Sequence, residues 1–241
     1  MGDTTPTLEL PVTRRALPPA RPSRWRIASM LGEILLTVGV LIVVFAIWLL
    51  LWTDVTAGAS QRQEVTSLRT QLAHTTKAPD VQLGDAYAIV QIPRFGTSFA
   101  MPVYQGTDSG VLTKGLGHYP ETAQPGQVGN ASFAGHRTTY GRPLWDIDLL
   151  RDGDSIIVTT AGGYYVYKVI GHEIVSPDDV GVIAPVPGSP ETPATESLLT
   201  LTSCDPKFTA QRRYIVHARL AETFTPQQGL PAAALVPPTG G

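Results

Sequence analysis

Residues 198–218 read LLTLTSCDPKFTAQRRYIVHA. An apolar, β-branched run stops at Asp205-Pro206, and a second such run starts at Arg212, so the stretch reads as two strands joined by a loop. An antiparallel return through that loop sets the end of the first strand, Cys204, beside the start of the second, Arg213. Strand alternation puts Arg213, Ile215 and His217 on one face and Arg212, Tyr214 and Val216 on the other, so the two arginines cannot both face one site. Cys204 is the single cysteine of the 241 residues. It rules out an intrachain disulfide and any multi-cysteine metal site. A lone cysteine is most often a small buried hydrophobe, but one at a strand end beside a loop is reachable.

Runs of the same kind recur upstream at Ala86–Ile92, Phe99–Tyr104, Asn130–Ala134, Ser155–Thr160 and Tyr164–Val175. Only Pro143–Leu150 suggests a short helix. Seven or eight short strands punctuated by turn residues, among 23 Gly and 21 Pro, predict an all-β domain, a barrel or a sandwich, because closing a sheet removes its exposed edges. The domain is expected over residues 81–222. The proline-rich connection Ser176–Glu196 predicts a rigid surface loop that walls a groove.

From Ile34 to Trp52 no residue is charged or strongly polar. That run makes about 28 Å of helix, close to the ~30 Å hydrocarbon thickness, and predicts one transmembrane helix over 34–52. Arg14, Arg15, Arg21, Arg24 and Arg26 precede it, and only Arg62 and Arg69 follow closely. The positive-inside rule therefore predicts a cytoplasmic N-terminus and an extracellular domain at the plasma membrane. A cleaved signal, with Ala57-Gly58-Ala59 as cleavage site, is the alternative, but signal cores are shorter and follow a short basic stretch. Residues 1–33, with several prolines, are expected to be a disordered basic segment. Residues 53–80 are expected to be a stalk, in which Val65, Leu68 and Leu72 stand at helical spacing. Residues 223–241 read as a disordered, proline-rich tail. Its Val236-Pro237-Pro238-Thr239-Gly240 looks like a recognition peptide, but no apolar segment and basic anchor follow it.

Charged residues make up 16% of the chain and the net charge is −2. No basic footprint for nucleic acid exists in that balance. No HExxH occurs and the five histidines are scattered, which disfavours a metallopeptidase. No metal site and no cofactor are expected. His136 follows an apolar strand and Ala134-Gly135, again at a strand end. His118 is its strongest rival as a base, ahead of His172 and His217.

NASFAGHRTTYGRP (130–143), TLTSC (200–204) and CDPKFTAQRRYIVHA (204–218) resemble the three catalytic segments of sortases, the membrane-anchored cysteine transpeptidases of Gram-positive bacteria. GLGHYPETAQPGQVGN (115–130) is similar to class E sortases of actinobacteria. The likeness runs from about Ala86 to Leu220. It implies a closed eight-stranded β-barrel, with Cys204 as nucleophile, His136 as acid/base partner and Arg213 as ligand of the substrate carbonyl. It implies cleavage of an LAxTG or LPxTG sorting signal between Thr and Gly through a thioacyl enzyme. Transfer then goes to an amine of a peptidoglycan precursor or a pilin, so the partners are surface proteins bearing such signals.

Tyr119 is expected to help choose Ala over Pro in the signal, and Thr202 and Ser203 to line the substrate site. Asp205 departs from the pattern: many class E members carry another residue there, often histidine. A carboxylate beside the thiol disfavours the thiolate unless it points elsewhere. The carboxylates that bind calcium in some class A sortases have no clear counterpart, although Glu173, Asp178 and Asp179 leave that open. Two other readings remain. An L,D-transpeptidase also uses exported Cys and His, but in one compact segment that this chain lacks. A membrane-anchored binding module would use Cys204 for packing alone.

Overall fold

The computed structural model describes residues 23–75 and 81–237. The chain divides into two compact units, residues 1–48 and 49–241. In the first, the described residues belong to helix α1, Ser23–His74. Its apolar span is Arg24–Trp48, of mean hydropathy 2.6 and with no residue buried, which is long and apolar enough to cross a bilayer. The helix starts well before Ile34, so residues 23–33 are helical rather than disordered; residues 1–22, the rest of that expectation, lie outside the described residues. It also continues without interruption through the junction expected near Trp52. The reason is compositional: no proline occurs between Pro22 and Pro79, so nothing removes an i to i−4 hydrogen bond along the way.

In the second unit eight strands close a barrel in the order β1-β2-β3-β4-β7-β8-β6-β5. They are β1 Ala86–Gln91, β2 Met101–Gln105, β3 Leu116–His118, β4 Gly129–Ala134, β5 Ser155–Thr160, β6 Gly163–Val175, β7 Ser197–Asp205 and β8 Arg212–Phe224. The pairs β2–β3 and β4–β7 are parallel and the rest antiparallel. The strand β3, which the sequence pattern misses, has only three residues, too few to show alternation. The helix expected over Pro143–Leu150 reduces to a 3₁₀ turn, Ile147–Leu149.

Ile92, Val103, Leu116, Phe133, Leu199, Leu201 and Val216 are fully buried in one core cluster. Burying each such side chain contributes about 1.5–3 kcal/mol. Val65, Leu68 and Leu72 of α1 are buried with Ile89 of β1 and Ala161, so the C-terminal part of the helix, beyond its apolar span, packs on the barrel through its apolar stripe. The tail does not behave as a free segment throughout. A 3₁₀ turn covers Ala232–Leu235, and Pro226 and Leu235 wall a cleft with Leu72 and Tyr164. Of the peptide-like end, only Val236 and Pro237 fall within the described residues.

Candidate active site

Strand β7 alternates. Leu199 and Leu201 enter the core, so Thr200, Thr202 and Cys204 occupy its other face. Cys204 pairs directly with Arg213 across the β7–β8 ladder, and Thr200 pairs with His217. The Thr200 hydroxyl lies 2.9 Å from Nδ1 of His217, as expected of cross-strand partners that share a face. The half-exposed thiol and the Arg213 side chain therefore project from the same side of the sheet. The Arg213 guanidinium donates from Nη1 to the carbonyls of Ala210 and Arg212, at 3.1 and 3.0 Å. Its remaining N–H groups have no protein acceptor among these bonds.

β4 lies parallel to β7, with Gly129 opposite Ser197 and Ala134 opposite Thr202. The same offset carries His136 to the level of Cys204. The strand end is pinned there by the Gly135 N–H, which donates to Thr202 at 3.1 Å, and by the Ser203 hydroxyl, which donates to Gly135 at 2.8 Å. Burial holds the His136 imidazole below its ordinary value. Its ring packs against Tyr140, with centroids 5.1 Å apart.

Beyond His136 the chain takes three consecutive left-handed residues: Tyr140 at φ 53°, Gly141 at 79° and Arg142 at 52°. The two non-glycines each cost on the order of 1–3 kcal/mol in that region and persist only where surrounding contacts impose them.

Arg137, which sequence reasoning did not single out, is buried between the segments. Its Nη1 donates to the Cys204 carbonyl at 3.2 Å and to Asp205 at 2.7 Å, and its Nη2 meets Asp148 at 2.9 Å. Its guanidinium also stacks over Tyr214, 5.4 Å from the ring centre. Asp205 receives Arg212 as well, at 3.1 Å. The carboxylate that threatened the thiolate is thus matched by two guanidinium groups on the opposite face of β7. No sequence signal marks Arg137 as buried; its neighbour His136 was the only cue.

Tyr119 reaches the same face as Cys204, where its hydroxyl lies 3.3 Å from that of Thr202. Ser203 corrects an expectation: it faces the opposite way, is buried, and its hydroxyl is committed to Gly135. It braces the end of β4 rather than lining a groove. The connection expected to wall the groove is fastened to this sheet. The Asn130 amide donates to Val182 and Ala184, at 3.3 and 3.0 Å, and Val182 is buried.

Residues 90–221 match the family model of the sortase domain. The chain belongs to the sortase family. It is 35% identical over 230 residues to sortase SrtE1 of Streptomyces coelicolor, covering 91% of this chain and 65% of that relative. The structure of sortase E from Streptomyces avermitilis superposes with a TM-score of 0.58 at 41% identity, over 64% of this chain and 99% of that one. Sortase E1 of S. coelicolor, solved with a tripeptide in its active site, gives 0.57 at 34%, with the same coverage of both chains. The relatives place this sortase with class E.

Three further histidines of this sortase are committed elsewhere. His118, the rival base, is fully buried within the barrel. Its Nε2 faces the Ala123 carbonyl at 3.0 Å and its Nδ1 the Tyr87 hydroxyl at 2.9 Å. Its Nδ1 also lies 2.9 Å from Oε1 of Gln105, and its Nε2 3.0 Å from the Thr122 hydroxyl. Desolvation lowers its pKa to about 4. His172 stacks flat on Tyr214, and His217 pairs with Glu173 at 3.0 Å. Among the described residues no three His, Cys, Asp or Glu side chains converge as metal ligands. Asp178 bonds Ser176 and Asp179 caps the 3₁₀ turn Val180–Ile183.

Proposed function

We propose that the chain is a membrane-anchored cysteine transpeptidase in which Cys204 is the nucleophile, His136 the acid/base partner and Arg213 the ligand of the developing oxyanion. The observation that supports this is that Cys204 pairs with Arg213 across β7–β8 and that His136 follows, by two residues, the end of a β4 strand registered in parallel on β7.

The Cys204 thiolate attacks the threonine carbonyl carbon of an LAxTG or LPxTG signal, and the carbonyl electrons move onto oxygen. The free N–H groups of Arg213 stabilise that charge as a planar fork. As the C–N bond breaks, His136 gives its proton to the glycine nitrogen, leaving a thioacyl enzyme. An incoming amine then attacks the thioester carbonyl, gives its proton to His136, and expels the thiolate. An ordinary imidazole is roughly a quarter protonated at pH 7. Burial makes His136 less so, and only a minor population holds the proton needed for amine departure, which suits a slow enzyme.

The arginine excess before the apolar span orients the N-terminus to the cytoplasm and the barrel outside. The acceptor is an amine of a peptidoglycan precursor or of a pilin lysine. The test is incubation of the chain with LAxTG and LPxTG peptides followed by mass spectrometry. An acyl adduct on Cys204, absent from Cys204→Ala and from His136→Ala, is expected. Normal turnover by Cys204→Ala refutes the assignment.

A further inference from the structure

The strained loop after His136 is not held by the barrel alone. Asp54 of α1 accepts from the Gly141 N–H at 3.2 Å and pairs with the Arg142 guanidinium through both Nε and Nη2. Gln61, two turns further along, is buried, and its Nε2 donates to the Tyr140 carbonyl at 2.9 Å. Its Oε1 lies so near Gly141 that an added Cβ would meet it at 2.3 Å. Each of the three left-handed residues is therefore gripped by α1, and at the middle one an added Cβ would push the Gln61 amide aside. The ring of Tyr140, whose carbonyl Gln61 holds, rests on the His136 imidazole.

We propose that Asp54 and Gln61 are positioning residues for the reaction: the segment of α1 just beyond its apolar span clamps the 140–142 loop and, through Tyr140, fixes the His136 ring for proton transfer. The inference rests on the sortase reading of His136. It makes the helix a functional part of the active site as well as an anchor. Strain in the loop gives the clamp its purpose, since left-handed Tyr140 and Arg142 relax once their partners are removed. Misplacement of a proton-transfer group lowers the chemical step without weakening peptide binding.

The full chain in detergent micelles is compared with Asp54→Ala, Asp54→Asn and Gln61→Ala. Each alanine variant is expected to lower kcat for peptide cleavage about tenfold to a hundredfold, with KM unchanged. Asp54→Asn, which keeps an acceptor for the Gly141 N–H, recovers part of the loss. Amide exchange over 140–142 accelerates and the His136 ring resonances shift in the alanine variants. Wild-type kcat in both alanine variants, a loss confined to KM, or unchanged exchange and His136 resonances overturns the clamp. If the wild-type chain forms no adduct on Cys204, the sortase reading fails. The exchange and resonance arms still judge whether α1 positions His136, and Gln61→Ala serves should Asp54→Ala not fold.

Discussion

Arg137 donates to the carbonyl oxygen of Cys204 at 3.2 Å, so the residue next to the proposed acid/base histidine is bonded to the backbone of the proposed nucleophile. The ends of β4 and β7 are thereby tied by a side chain as well as by the parallel ladder. A buried guanidinium in this position needs acceptors, and Asp205, Asp148 and the Cys204 carbonyl supply them to Nη1 and Nη2, while the buried Nε has no protein partner.

Asp205→Ala leaves Arg137 with Asp148 as its one carboxylate. Removing one partner of a buried pair typically costs about 3–5 kcal/mol, and the upper end does not apply because Asp148 remains. Denaturant melts are expected to show a loss of about 3 kcal/mol. A stability equal to wild type would mean that the pair contributes nothing.

Arg213→Lys loses the planar fork. An ammonium has no second and third nitrogen to offer an oxyanion while one holds the Ala210 and Arg212 carbonyls, so kcat/KM is expected to fall about a hundredfold or more, while binding of a non-cleavable peptide changes little. Equal loss in both measurements would make Arg213 a binding residue only.

Because burial lowers the His136 pKa, the acid limb of the kcat/KM profile is expected below the ordinary imidazole value of about 6.5. Tyr140→Ala uncovers the ring, and its acid limb moves up toward that value. A limb at the same pH in both proteins would detach it from His136.

His118 makes stability depend on pH. It stays neutral in the fold down to about 4, whereas the unfolded chain binds the proton near 6.5. Stability present above pH 6.5 is therefore lost as pH falls toward 4, by at most about 1.4 kcal/mol per pH unit. Urea midpoints across this window should show a shallower slope in His118→Gln. An identical slope would assign the effect to other groups.

Tyr119 meets Thr202 on the face that carries Cys204. If its phenol selects Ala over Pro in the signal, Tyr119→Ala and Tyr119→Phe change the ratio of LAxTG to LPxTG cleavage. An unaltered ratio in both variants reduces the tyrosine to packing.

Much of this fold was legible from β-branched runs and turn residues. The bounds of β5 coincide with the expected Ser155–Thr160, and β7 and β8 extend theirs by a few residues. The strand β3 was not legible, because three residues carry no period. The helix was read as two pieces although the absence of proline between residues 22 and 79 already argued for one. At the site, Cys204 and His136 were marked by type and by their place at strand ends, while the choice of Arg213 over Arg212 came from the resemblance to sortases. Arg137, Asp54 and Gln61 did not: their partners lie 67, 87 and 79 residues away in sequence, and long-range pairing of polar side chains leaves no local pattern. Ser203 follows the two-residue alternation of β7 and so turns to the buried side, away from Thr202 and Cys204.

The parallel pairing of β4 with β7 has a bearing on biosynthesis. Parallel neighbours cannot meet through a hairpin, and here β5, β6 and a long connection must be laid down before β7 can dock. Until then the sulfur of a nascent chain has neither imidazole nor guanidinium at hand. The juxtaposition of Cys204 with Arg213 therefore arises only once the last strands close the ring.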